Sequence, residues 1–588
     1  MVLAGLAALG LLLVAPLWLA PFHVRVVQLI FLGAGLALAW TILGGFAGYF
    51  SFGHMAFVGM GAFAAALFEA HLPLGGPVPT FIAALIFAVA VTGLFALAIA
   101  YPILRLRGIY FAIAMLGASL VLTELSSGIG FFQGALGMVL PGIEPRALRT
   151  ETFYYYAFLL AGLVVLAVAF AIRRSALGYG LVSIREDEDT ARMLGVPTER
   201  YKIRVFVVSA MLTAVFGVLY AHSLGYITTD SVFRIDFSLN MIVYSMLGGL
   251  GTLAGPIIGA TVMVVLTQVV LGHLLEIHML VTGAVVVALM LLAPGGILGF
   301  VGDLFHRRPA AADGERPAAP PATAGEPAPP VAPDAAPILR LRGLTVRFRG
   351  LVAVNGVDLE VPEGSICSLI GPNGAGKSTI FNAVTGYVSP SAGAIEYRGA
   401  RIDGLDTARV SERGIARAFQ IAKPFAQMPV FDNVLVGALF GKAGARDARA
   451  VAEEALHLTG LDPLRDALAS TLTVGNLRRL ELARAIATRP DLLLADEPCA
   501  GLNATETEQV LEILREVRRR GVTVLLVEHD MAAVMRVSDR IFVLDAGAKI
   551  AEGPPEAVTR DPRVIEAYLG EPIPDARAST AAVAPGGA

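Results

Sequence analysis

Ten apolar stretches crowd the first 300 residues, and nothing constrains the folding of this chain more. They fall near 3–20, 26–43, 50–69, 80–101, 109–126, 153–172, 204–222, 237–250, 253–272 and 278–300. A bilayer core about 30 Å thick needs about 20 apolar residues per helix. Inside it, only a helix or a closed barrel satisfies its own backbone polar groups. Most of these stretches are long enough to cross; 237–250 is short and could instead be re-entrant. Residues 1–308 carry 28 charged side chains, whereas 309–588 carry 65. The expected fold is therefore a polytopic α-helical membrane domain of about ten spans over 1–308, followed by a soluble domain.

The basic residues orient these spans. Arg105, Arg107, Arg173, Arg174, Arg185, Arg192, Arg200, Lys202, Arg204, Arg307 and Arg308 fall on one side of such a threading. Only Arg25, Arg146, Arg149 and Arg234 fall on the other. The positive-inside bias makes the first side cytoplasmic. Met1–Ala20 has no basic n-region, so a retained first helix is expected rather than a cleaved leader. Neither half is basic: 15 Lys and Arg stand against 13 Asp and Glu in 1–308, and 30 against 35 beyond. Nothing points to a nucleic-acid partner. The two cysteines, Cys367 and Cys499, imply no disulfide framework.

Residues 309–337 are rich in Pro and Ala, cannot build a core, and are expected to form an extended linker. From Ile338 short apolar strands alternate with amphipathic helices, the pattern of an α/β domain, expected over 338–572. The tail 573–588 is expected to be disordered. Within the α/β domain, Gly371-Pro372-Asn373-Gly374-Ala375-Gly376-Lys377-Ser378-Thr379 fits G-x-x-x-x-G-K-[ST] at every fixed position. The apolar stretch 365–370 precedes it and an amphipathic stretch 379–385 follows, the strand–loop–helix order of a phosphate-binding loop. Glycines let backbone N–H groups close around phosphates, Lys377 adds a charge, and the Ser378 hydroxyl suits Mg²⁺. A second motif, Leu492-Leu493-Leu494-Ala495-Asp496-Glu497-Pro498, ends a buried strand in two carboxylates. Asp496 is the candidate for the Mg²⁺ shell and Glu497 for the general base that polarises attacking water. ATP and Mg²⁺ are the expected cofactors.

In this order the motifs resemble those of an ATP-binding cassette (ABC) ATPase. The resemblance implies that Gln420, in Ala416-Arg417-Ala418-Phe419-Gln420, contacts Mg²⁺ and water and senses the membrane domain, and that His529, in Val527-Glu528-His529-Asp530, contacts the γ-phosphate, both serving catalysis. It also implies that Phe348 stacks on adenine and that Ala500-Gly501-Leu502-Asn503 is the D-loop. The signature, usually L-S-G-G-Q, reads Leu472-Thr473-Val474-Gly475-Asn476 here. Thr473 and Gly475 keep the hydroxyl and the close approach to nucleotide held by a second cassette; Val474 and Asn476 depart from the pattern.

The first half is similar to permeases of the branched-chain amino-acid uptake family. The strings that carry this are 44–54 (GGFAGYFSFGH), 104–112 (LRLRGIYFA), 184–188 (IREDE) and 247–256 (LGGLGTLAGP). Glu552-Gly553-Pro554 and 561–570 (DPRVIEAYLG) extend the likeness through the second half. Asp189-Thr190-Ala191-Arg192-Met193-Leu194-Gly195 resembles the coupling segment of ABC importers, and so is expected to dock on the ATPase. Glycines 44, 45, 48 and 53 fit either a broken helix with an anion-binding end or close helix packing.

The family likeness implies half of an importer in a bacterial inner membrane, with its ATPase cytoplasmic. A second permease and ATPase, or a second copy of this chain, would complete it. A periplasmic binding protein would deliver the solute, and membrane lipid would surround the spans. Branched-chain amino acids lead as the small-molecule substrate; urea, other amides and small carboxylates are alternatives. An exporter half-transporter and a membrane-anchored regulatory ATPase are the readings from other classes.

Overall fold

The computed structural model describes residues 2–130, 136–143, 149–271, 281, 283–284, 286–288, 291, 295–305, 336–420, 422–442 and 444–569. Arg146, Arg307, Arg308, nearly all of the 309–337 linker and the 573–588 tail lie outside these, as do 10 of the 23 residues of the stretch 278–300. Two compact units divide the chain. One comprises 1–185 with 198–312, and the other 186–197 with 313–588.

Among the described residues of the first unit, five helices are long and apolar enough to cross a membrane: Pro21–Leu43, Pro77–Ile103, Ile109–Gly128, Thr150–Arg174 and Thr198–Leu224. Other expected spans are shorter. The stretch 3–20 yields a 13-residue helix, Val2–Val14, and then a tight turn, Ala15–Leu17, before the chain restarts at Pro21. Pro16 and Pro21 divide it, because each disfavours helical geometry in the residue before it. The stretch 237–250 is the 14-residue helix Ile235–Gly248. The stretch 253–272 becomes the helix Gly255–Val265 continued by one π turn, Leu266–Val270.

The glycine-rich segment both breaks a helix and packs closely. The helix Pro21–Leu43 gives way to turns and irregular chain over 44–54, and helix resumes in the 17-residue Met55–His71. Gly48 sits at φ +76°, a region that favours glycine. A Cβ on Gly53 would lie 2.0 Å from the Met115 carbonyl oxygen. The end of the new helix is not left open to an anion. The Met55 N–H donates to Ser238 Oγ (2.9 Å), and those of Ala56 and Phe57 donate to the Gly53 and His54 carbonyls, each at 3.0 Å. Helices Met55–His71 and Thr198–Leu224 also meet through glycine. A Cβ on Gly61 would lie 2.5 Å from the Ala214 oxygen, and one on Gly217 would lie 2.2 Å from the Val58 oxygen. Such close backbone approach is how apolar helices associate in lipid. Between the same two helices the buried Glu69 and His222 pair at 3.0 Å.

The second unit holds a six-stranded sheet. Its order is Ala548–Gly553, Arg540–Asp545, Ile366–Ile370, Thr523–Val527, Leu492–Asp496, Ile415–Ala418. All neighbours are parallel except the first pair. Ile366–Ile370, Leu492–Asp496 and Thr523–Val527 are buried throughout, as strands covered on both faces must be. An antiparallel sheet, Leu351–Pro362, Pro337–Phe348, Ala392–Tyr397 and Ala400–Arg401, shares a core with this one. Pairing of Val527 with both Leu369 and Asp496 brings the C-terminal ends of three central strands level.

Segment 186–197 belongs to this unit although permease-like sequence flanks it. Its short helix, Glu188–Met193, is capped by Asp187, whose carboxylate accepts from the Thr190 N–H at 2.6 Å. Glu186 Oε2 accepts from the Gln427 N–H at 3.2 Å.

Candidate functional site

The level strand ends build the site, as ligand crevices of open α/β sheets are built. The phosphate loop leaves Ile370, runs through Gly371 (φ +151°), Gly374 (+85°) and Gly376 (+99°), and enters the helix Lys377–Val384. A Cβ on Gly376 would lie 2.5 Å from the Ala353 oxygen. Asn373 and Gly374 are exposed, as is Ser378 in the first helical turn, whereas Ala375 is buried and Pro372 and Thr379 are half-buried. Lys377 is folded onto its own loop, donating to the carbonyls of Gly371 (2.7 Å) and Pro372 (3.0 Å). Burial pulls its ammonium below the usual lysine range, while the Glu497 and Asp496 carboxylates act the other way.

Three residues expected to be catalytic meet at one carboxylate. Glu497 Oε1 lies 2.8 Å from His529 Nε2, and Oε2 accepts from Gln420 Nε2 at 2.8 Å. Glu497 itself has φ +49°, a left-handed geometry that is strained for a residue with a side chain. Its N–H is held by the Val527 carbonyl at 2.8 Å. Buried Glu528 braces the same edge by accepting from the Cys499 (2.7 Å) and His529 (3.2 Å) N–H groups. Burial raises its carboxyl above the usual range.

Asp496 is nearly sealed and is paired with Arg417, Oδ2 to Nη2 at 2.7 Å. Arg417 also donates to Asn382 Oδ1 at 2.6 Å. In the sequence Arg417 stands near Gln420 with no evident task. Its one signal there is a cation inside an otherwise apolar strand, Ile415–Ala418. Arg478 escapes sequence reasoning likewise; it donates to the Phe419 and Gln420 carbonyls and, at 3.3 Å, to that of Ala500, tying the Gln420 loop to the D-loop.

Asp496 Oδ1 is buried without a hydrogen-bond partner among the described residues. That is an oxygen a hard divalent cation would satisfy. No cluster of three His, Cys, Asp or Glu side chains forms among the described residues. A cation would therefore rest on one carboxylate, the neutral side chains of Ser378 and Gln420, and substrate phosphates, a mode that suits Mg²⁺.

Thr473 caps the signature helix Val474–Ala487, its hydroxyl accepting from the Asn476 N–H. Gly475 lies under Glu506, whose Oε1 would be 2.4 Å from an added Cβ. Phe348 ends its strand 43% exposed.

Two predictions arise here. Lys377→Ala is expected to weaken ATP binding about ten- to hundred-fold, the scale of one charge-assisted contact. Equilibrium titration of the purified chain checks this, and unchanged affinity overturns the assignment. Arg417→Met strands the buried Asp496 carboxylate and is expected to destabilise the ATPase unit by about 3–5 kcal/mol. Adding Asp496→Asn should recover most of that loss, because the stranded charge is removed. Thermal unfolding of the full chain tests both variants.

The sequence matches three family models: branched-chain amino acid transport system / permease component over residues 24–290, ABC transporter over 354–500, and branched-chain amino acid ATP-binding cassette transporter over 548–573. It is 43% identical over 251 residues to the high-affinity branched-chain amino acid transport ATP-binding protein BraF of Pseudomonas aeruginosa. That match covers 40% of this chain and 98% of BraF. The Escherichia coli K12 protein of the same description, LivG, is 42% identical with the same coverage. A solved nucleotide-free ATP-binding cassette from an ABC transporter is 30% identical, covering 40% of this chain and all of that one, at a TM-score of 0.37.

Proposed function

Because this chain belongs to the branched-chain amino-acid ABC transporter family, with permease and ATP-binding components in one polypeptide, we propose that it imports branched-chain amino acids. It is a membrane protein whose ABC ATPase hydrolyses ATP to drive transport. In our reading 1–308 is the permease, 309–337 a linker, 338–572 the ATPase and 573–588 a tail. The chain sits in a bacterial inner membrane with the ATPase cytoplasmic. ABC ATPases work as dimers, and a second permease–ATPase pair, or a second copy of this chain, supplies the other half. A periplasmic binding protein delivers the solute.

The convergence of Gln420 and His529 on Glu497 carries the chemical half of this reading. Glu497 takes the proton of the attacking water; Gln420 and His529 hold its two oxygens in place. Lys377 and the loop amides 371–379 bind the phosphates, and Phe348 stacks on adenine. Mg²⁺, when bound, would be held by Ser378, Asp496 and Gln420 and would neutralise phosphate charge. Thr473 and Gly475 reach nucleotide on the opposite ATPase.

Reconstitution with a partner pair and the binding protein tests this. ATP-dependent accumulation of L-leucine is the expected result. Vesicles that accumulate urea but not leucine would overturn the solute; ATP-driven extrusion would overturn the direction.

A further inference from the structure

The helical unit contains a cavity of about 840 Å³ that the chemistry above does not use. It opens between Pro21–Leu43, Ile235–Gly248 and the π turn that continues Gly255–Val265. Leu32, Leu36 and Met263 give it an apolar wall. Asn240, Tyr244, Thr267 and Gln268 add amides and hydroxyls. At the start of the helix Ile235–Gly248, Arg234 and Asp236 line it together, Nη2 to Oδ2 at 2.7 Å.

Asn240 and Gln268 are exposed in the unit. Two amides facing lipid would forfeit their hydrogen bonds to water, so this surface faces water or a polar ligand. Thr267 and Gln268 ride on the π turn, a rare geometry often found at functional sites. The Arg234–Asp236 pair is half-exposed on both sides, and such pairs are weak enough to exchange partners.

We propose that this cavity binds the zwitterion of an aliphatic α-amino acid, carboxylate on Arg234, ammonium on Asp236 and side chain on Leu32, Leu36 and Met263. One ligand then replaces both halves of the pair without leaving a charge unmatched, and the aliphatic group leaves water. Urea has neither charge, and a simple carboxylate has one. The inference rests on the import reading above and names where the permease itself selects that solute.

The test uses the full assembled transporter in vesicles. The native cysteines Cys367 and Cys499 are both buried in the ATPase unit, so an introduced thiol can be read against them. Asn240→Cys and Gln268→Cys are made separately, and alkylation by a hydrophilic thiol reagent is timed with and without L-leucine. Labelling is expected, and L-leucine near ten times its dissociation constant should slow it about tenfold. Isoamylamine, isocaproate and urea, which lack one or both charges, should not. Arg234→Gln in either background should remove the protection. Failure to label, or labelling indifferent to L-leucine in both cysteine variants, overturns the site. Protection that survives Arg234→Gln overturns the charge assignment. L-Leucine uptake by the parent in the same vesicles separates the two ideas: uptake without protection sinks the cavity alone, and protection without uptake sinks the import reading alone.

Discussion

Replacing Glu497 by Gln is expected to lower ATP turnover about 10²–10⁴-fold, the range for loss of a general base, while ATP binding stays near that of the parent. The substitution keeps the side-chain shape. An amide at this position can still accept from Gln420 and reach His529, which lie 2.8 Å from the two carboxylate oxygens. The left-handed backbone at φ +49° and its N–H bond to the Val527 carbonyl do not involve the head group and stay as they are. The phosphate loop lies on a different strand and keeps Lys377 and its amides. What disappears is the group able to take a proton. Steady-state hydrolysis by the assembled transporter, paired with equilibrium ATP binding, measures the two consequences separately. Turnover within about tenfold of the parent would show that another group activates the water.

Gly195→Trp is expected to bring solute uptake to background while basal hydrolysis persists. Gly195 ends the segment 189–195 at φ +91°. A Cβ there would lie 2.3 Å from the Phe440 carbonyl oxygen and 3.4 Å from Ser411 Oγ. Contacts under 3.0 Å essentially never occur, and the nearest atom is backbone that cannot swing aside. Any side chain must lift the segment off the ATPase surface, and a tryptophan does so most completely. Phe440 closes the helix Val430–Phe440, which follows the loop beginning at Gln420. A lifted segment thus loses its contact with the helix that follows the Gln420 loop. Lys377, Asp496 and Glu497 are untouched, so the chemistry stays competent. Arg200→Ala, an exposed change in the first turn of the helix Thr198–Leu224, is the control that should transport normally. Uptake and hydrolysis measured in one vesicle preparation decide the matter. Normal uptake by Gly195→Trp would reduce the segment to a connector.

A graded version of this test uses a smaller side chain. Gly195→Ala adds only the Cβ, which already falls inside the Phe440 contact. It should therefore impair uptake too, though less than tryptophan does. A result in which alanine is harmless and tryptophan is not would mean that the Phe440 carbonyl gives way.

Features that depend on contiguous residues are legible in the amino-acid order. The phosphate loop is legible because strand, glycine turn and helix follow one another within 366–384. Asp496 and Glu497 are legible because a buried apolar run that closes on two adjacent carboxylates, downstream of a phosphate loop, sets acidic oxygens at a strand end. Apolar length marked the helical half, since lipid leaves the backbone no other partner. Proline positions, by contrast, shortened the first span in a way that hydropathy alone does not register. Tertiary structure decided whatever depends on strand order. Ile415–Ala418, Leu492–Asp496, Thr523–Val527 and Ile366–Ile370 are neighbours in space but not in sequence. Only that order sets Gln420 and His529 on opposite oxygens of Glu497 and seals Arg417 against Asp496. Gly195 reads as one more loop glycine until the Phe440 carbonyl is placed 2.3 Å from where its Cβ would be. Local chemistry is written in neighbouring residues; a partner carried in from 32 to 79 positions away is chosen by the packing of the sheet.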